Sequence, residues 1–377
     1  MKATEDIMQV VADLKMLPVE EQGYITPAKH IVHFVEPITS VKPQQNIRKN
    51  PERDINPAEA LCSPYIQRAV IMAEKQTKAE IAVSNYIFCG KEDLWDVLFF
   101  VKDVVSVPRV ILESLCPEVE LHVNLINAWS HILNIAEKKR KKGTDYRLFC
   151  YPLMIQKDTY EREEDVIIDE FTNNMNDVLK KEKIKTIKDF DIVFVPIFHH
   201  EKKHFYLMCF DLKRTKTTLL DNIAPLEDEE KGDHDPYHGR TRKTKQAFEG
   251  YLERISHPKA ANMKATSINR LQMPWRTNFN GVDCGIFLMR HMETYMGEDA
   301  NKYHCGFAKE ESGLQKKQIE DLRRKYTTKI LLHDANENKP YVVSLVSNFQ
   351  ELPAKEKQKL KRGGFKRILS RLLYEID

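Results

Sequence analysis

The chain has 377 residues, of which 42% are apolar and 31% charged. That is the balance of a globular protein with a wet surface, not of a disordered or fibrous chain, and it is long enough to bury a core without disulfide or metal staples. Lys plus Arg number 59 against 56 for Asp plus Glu, so overall charge selects no class of partner. The longest apolar run, Ile192 to Phe198, is interrupted by Pro196; a membrane helix needs about 20 such residues, and no membrane association is expected.

In chain order, residues 1–64 hold seven of the 17 prolines and one periodic segment, Ile7 to Leu17, which Pro18 ends. This reads as a loosely ordered extension with one short helix. The N-terminus lacks the apolar core of a secretory signal. The seven cysteines, at 62, 89, 116, 150, 209, 284 and 305, form no Cys-x-x-Cys pair, so reduced thiols in an intracellular protein are expected. A domain is expected over 65–310, its core about 92–300, followed by a basic helical tail over 311–377. Leu121, Leu125, Ile126, Trp129, Ile132, Leu133 and Ile135 predict a helix over 121–138 with a broad apolar face. Tyr146 to Ile155 reads as a strand. Phe190 to Phe198 and His204 to Leu212, joined by His199-His200-Glu201-Lys202-Lys203, predict a hairpin. Thr215 to Asn222 supplies a third strand. The charge-dense segment 226–245 reads as a solvated loop, and Phe248, Leu252 and Ile255 place a helix near 243–256. Another helix is predicted from Cys284 to Met296. Strands clustered in the middle with helices before and after predict an α+β fold.

The residues Asn280-Gly281-Val282-Asp283-Cys284-Gly285-Ile286-Phe287 set a cysteine between a turn-forming pair and an apolar run of helical length. A sulfur at a helix N-terminus meets unpaired N–H groups and the positive end of the helix dipole, which favour the thiolate. His204 opens one predicted strand and Asp221 closes the next, so a sheet can bring them to the same end. The three make a possible cysteine-protease triad, whose members need only meet in space. By spacing alone, however, Cys284 is better read as a packed helix-end thiol.

The flanking text changes that balance. Asp191-Ile192-Val193-Phe194-Val195-Pro196-Ile197, His204-Phe205-Tyr206-Leu207, Leu219-Leu220-Asp221-Asn222 and the Cys284 block resemble, in order and approximate spacing, the ubiquitin-like-protein-specific (SUMO) cysteine proteases. Met289-Arg290-His291-Met292-Glu293-Thr294-Tyr295 is similar to the plant-type branch often carried by mobile elements. The resemblance implies a papain-like fold of the SUMO-protease type, with a central mixed sheet against helices. It implies Cys284 as nucleophile, His204 as base and Asp221 as its orienter, acting after the Gly-Gly terminus of a modifier, SUMO by expectation. The oxyanion would rest on the Cys284 N–H and a side-chain amide. The family's Gln six residues before the cysteine is Asn278 here. Its aromatic clamp after the histidine is Phe205, and the other clamp position is Glu120. No cofactor is implied. A monomer in the nucleus or cytoplasm is expected, and an inactive modifier-binding module is the alternative.

His199, His200, His204 and Cys209 lack zinc-ligand spacing, and the turn is expected to point its histidines to solvent; no metal site is expected. The run Lys138-Lys139-Arg140-Lys141-Lys142 reads either as an import signal or as a solvated helix end. Without aromatic and basic interleaving, nucleic-acid binding is not expected.

Overall fold

The computed structural model describes residues 69–373 apart from 142, 225–236, 279 and 311. The helix expected at Ile7–Leu17, the rest of the Pro-rich extension and the acidic run at 227–230 lie outside the described residues.

Helix α1 (Lys78–Cys89) starts on a reciprocal cap: Glu80 N–H donates to Thr77 Oγ1 at 3.1 Å and Thr77 N–H to the Glu80 carboxylate at 2.7 Å. This satisfies two of the donors that a helix start leaves over. A small hairpin follows, β1 (Val97–Val101) against β2 (Val105–Pro108). Helix α2 (Val123–Lys138) lies where the apolar spacing predicts it. Its Trp129 is fully buried, donating through Nε1 to the Met289 carbonyl at 3.1 Å. The strand expected over Tyr146–Ile155 is only β3 (Arg147–Phe149). Leu153 takes φ 62°, so the chain turns, and Tyr151, Met154 and Ile155 are buried as side chains without a ladder.

Helix α3 (Glu164–Lys181) buries Ile167, Phe171, Met175 and Val178. The hairpin then appears where the alternation places it, as β4 (Ile192–His199) and β5 (His204–Asp211), followed by β6 (Lys216–Leu220). Helix α4 (Arg240–Arg254) begins inside the segment read as a solvated loop to 245. The correction has a packing cause: Thr244, Ala247, Phe248 and Tyr251 are buried, and Phe248 stacks on Phe210 at 4.0 Å. Strand β7 (Ile268–Arg270) completes a five-stranded sheet of order β3-β4-β5-β6-β7, parallel at its two ends and antiparallel between.

Period-two alternation gives this sheet two apolar faces. Phe205, Leu207 and Cys209 of β5 join one cluster with α2 and helix α5 (Cys284–Thr294). Tyr206, Met208 and Phe210 join the other with α3 and α4. Three further helices occupy the expected basic tail: α6 (Gly313–Leu331), α7 (Lys339–Glu351) and α8 (Ala354–Leu373). They are more than an appendage, since α6 inserts Ile319, Leu322, Tyr326 and Ile330 into the first cluster and all three pack against α1. Among the described residues, no helix is long and apolar enough to cross a membrane.

Candidate active site

The antiparallel pairing Leu207↔Leu220 brings the start of β5 and the end of β6 to one end of the sheet. His204 opens β5, and Asp221 follows directly on β6. Helix α5 lies on the β5 face with Cys284 as its first residue. A side chain at Gly285 would run into Leu121, its Cβ 2.6 Å from the leucine, so glycine lets the helix start come this close. The Cys284 thiol is 3.4 Å from the Gly281 carbonyl and 3.8 Å from that of Lys203, the residue before His204. The three residues singled out in the sequence thus meet.

His204 and Asp221 are both buried, and Nε2 of the imidazole lies 2.9 Å from Asp221 Oδ1. The opposite nitrogen, Nδ1, is buried without a hydrogen-bond partner. Burial acts against a charged imidazole here, but the Asp221 hydrogen bond, with the nearness and charge of Asp221 and Cys284, outweighs it and lifts the His204 pKa to about 9. Asp221 is pushed upward by burial, yet the His204 hydrogen bond and charge, with Arg270 and Tyr237, bring it down to about 2.

These shifts fix a pH dependence. The His204 contribution to stability is complete below its ordinary 6.5 and is lost as pH rises from there through about 9. That of Asp221 is complete above 3.8 and is lost as pH falls through about 2. Hydrolysis that needs protonated His204 in the leaving-group step should therefore persist through neutrality and decline above about pH 9. Iodoacetamide alkylation, which needs only the thiolate, should not decline there. A rate profile already falling above 6.5 would contradict the assignment.

Asp221 accepts more than the His204 bond. Oδ1 also takes the Ile223 N–H at 3.0 Å; Oδ2 takes Arg270 Nη2 at 2.6 Å and the Tyr237 hydroxyl. The Tyr237 ring is stacked on the imidazole at 5.9 Å with 10° between planes, and on Tyr206 at 4.2 Å. A carboxylate held by donors on both oxygens cannot turn, so the imidazole it holds cannot turn either. Sequence reasoning missed Tyr237 and Arg270. Tyr237 stands in the stretch read as solvated, and neither has a local pattern that separates it from an ordinary surface residue.

Other expectations fare differently. Asn278 is exposed, and its Nδ2 donates to the Glu310 carboxylate. Phe205 is 2% exposed, packed against Phe198 at 4.6 Å. Strand alternation turns it into the α5 core, so it offers almost no surface to cover a substrate glycine. Glu120 is exposed, 3.9 Å from Lys203 Nζ. His199 is not turned to solvent: it pairs in register with His204 and is buried beside Tyr237 and His238. Its pKa falls to about 4, burial being the main cause and Arg240 the next. Trp275 is core, its Nε1 3.3 Å from His291 Nε2.

Residues 149–337 match the model of the Ulp1 protease family, C-terminal catalytic domain. The chain belongs to that family. It is accordingly a cysteine protease, with the α+β fold of the Ulp1 catalytic domain. No curated protein matches the chain. Among solved structures it is similar to the SUMO protease Ulp1 with its catalytic cysteine oxidised to a sulfonic acid, at 14% identity and TM-score 0.49 over 71% of this chain and 100% of that one. It is similar to the C-terminal Ulp1 protease domain in complex with Smt3, the yeast ortholog of SUMO, at 17% identity and TM-score 0.48, again over 71% and 100%. A Ulp1-like SUMO protease catalytic domain from Chaetomium thermophilum gives 14% identity and TM-score 0.44 over 68% and 90%.

Proposed function

We propose that the chain hydrolyses the bond after the C-terminal Gly-Gly of a ubiquitin-like modifier, with Cys284, His204 and Asp221 as its triad. The observation that carries this is His204, held through Nε2 by Asp221 at 2.9 Å, with its other ring nitrogen buried and left available on the side where the Cys284 thiol lies against the Lys203 carbonyl. Cys284 gives its proton to Nδ1, and the thiolate attacks the glycine carbonyl. The carbon–oxygen π bond opens to a tetrahedral oxyanion. The imidazolium then returns its proton to the leaving amine as the C–N bond breaks, leaving a thioester. Water, deprotonated by His204, attacks the thioester and releases the modifier acid and the thiol. Precursor processing and deconjugation use this same sequence with different leaving amines.

SUMO is the modifier proposed, because it is the substrate named for the Ulp1 protease. The Cys284 N–H and, once released from Glu310, the Asn278 amide are proposed oxyanion donors. The engagement of Asn278 by Glu310 favours the alternative, a modifier-binding module with weak or no turnover. Incubation with SUMO, ubiquitin and related modifiers carrying C-terminal vinyl electrophiles separates the two readings by intact mass. A gain of one SUMO, absent in Cys284→Ala, is expected. A gain with another modifier alone would replace the substrate, and no adduct with any of them, in folded protein that retains SUMO in pulldown, would establish the silent module.

A further inference from the structure

Helix α5 begins with a conflict between capping and chemistry. Asp283 stands at its N-cap, where a carboxylate ordinarily accepts from the backbone N–H two or three residues on. Here it makes no such bond. The N–H groups of Ile286 and Phe287 both go to the Asp283 carbonyl, at 2.9 and 3.1 Å. Among the described residues, those of Cys284 and Gly285 have no acceptor. Two free donors therefore sit at the sulfur, at the positive end of an 11-residue helix.

The carboxylate is held elsewhere. Oδ1 accepts from Arg323 Nε at 2.9 Å and Nη2 at 2.5 Å, and Oδ2 from Asn280 Nδ2 at 2.9 Å. The Arg323 side chain is fully buried, and the rest of its guanidinium donates to the carbonyls of Ser114, Cys116 and Val119 at 3.1, 3.0 and 2.9 Å. One planar group thus ties the residue before the nucleophile to the segment that leads into Leu121, the neighbour of Gly285. Lysine has no fork that spans these acceptors.

We propose that Arg323 of α6 is a positioning residue for the reaction. It draws the Asp283 carboxylate off the helix start, so that the N–H groups of Cys284 and Gly285 stay free to receive the oxyanion. It also balances a negative charge that would otherwise oppose both thiolate and oxyanion. The inference rests on the triad proposed above and adds Gly285 and Arg323 to it.

The test compares wild type, Arg323→Met, Asp283→Ala and the double variant. Three readouts are taken: affinity for acetyl-Gly-Gly-glycinal, the plateau rate of iodoacetamide alkylation at high pH, and coumarin release from a SUMO C-terminal amide. In the aldehyde adduct the sulfur bonds to the carbonyl carbon, and the oxygen, taking up the negative charge or the thiol proton, lies where the reaction's oxyanion lies. Alkylation displaces iodide and forms no oxyanion. In Arg323→Met the freed carboxylate is expected to cap α5, weakening the aldehyde about tenfold or more and lowering kcat by up to the ~10²–10³ of a lost oxyanion donor, with KM little changed. Plateau alkylation should stay within about twofold. Asp283→Ala, which leaves nothing to cap the helix, should restore most of the loss in the double variant. Recovery absent in the double variant, or alkylation falling in step with aldehyde affinity, would overturn the proposal. Should Arg323→Met not fold, Arg323→Lys carries the same comparison. Wild type that binds the aldehyde yet releases no coumarin would sink the SUMO reading, while the aldehyde series still judges Arg323.

Discussion

Cys284→Ser is expected to lower hydrolysis of a SUMO C-terminal amide by roughly 10³-fold or more, and His204→Ala by a similar factor, with the double variant no worse than either. The serine hydroxyl keeps its proton at any pH at which His204 is charged, so the ionised nucleophile is lost while the helix start keeps its shape. Without His204 the thiol has no base and the leaving amine no proton donor. Because the two act on one proton, their losses do not add. Initial rates for the four proteins, with circular dichroism to verify folding, decide the matter. Activity above about a tenth of wild type in Cys284→Ser would remove the sulfur from the reaction.

The second large effect concerns stability. Glu293, on the last turn of α5, is 2% exposed. Its Oε1 accepts from Lys329 Nζ at 2.7 Å and the Val70 N–H at 2.8 Å, and its Oε2 from Arg290 Nη1 at 2.8 Å and the Tyr326 hydroxyl at 3.1 Å. Burial alone would raise its pKa, but Lys329 and Arg290 together hold it below the usual carboxylate range. Glu293→Ala removes the carboxylate that the buried Arg290 and Lys329 share. Breaking such a pair costs about 3–5 kcal/mol, which lowers Tm by roughly 10 °C in a domain this large. Glu293→Gln, which keeps the size and some of the bonds, should lose less. Urea unfolding of the three proteins measures it, and a loss below about 1 kcal/mol for the alanine variant would show the cluster to be hydrated.

Much of the proposed triad was legible because its parts sit at element boundaries that local patterns mark. The alternation of β4 and β5, the turn between them and the apolar run after Asn280-Gly281 each define an end, and His204, Asp221 and Cys284 lie at such ends. What supports the triad was not legible. Arg270 lies on a three-residue strand and Tyr237 ahead of a helix in a charged stretch, and each reaches Asp221 only after the sheet has formed. Arg323 looks like one more cation in a basic helix until α6 is buried and its charge needs Asp283. Phe205 shows the opposite error. A motif position was read as a binding surface, but strand alternation decides which way the ring points, and it points inward. Tyr146–Ile155 failed for a related reason, since apolar residues fill a core equally well from a turn.

The packing of α1 against α6, α7 and α8 also bears on how the chain is made. Ser84 Oγ accepts from Arg324 and the Cys89 carbonyl from Arg367, pairings 240 and 278 residues apart in sequence. At about 5–20 residues per second, a ribosome needs some tens of seconds to supply those partners after α1 has emerged. Throughout that interval the surface of α1 that α6, α7 and α8 cover has none of these helices on it. A chain stopped before α6 lacks the Arg323 guanidinium that holds Asp283, the residue before Cys284.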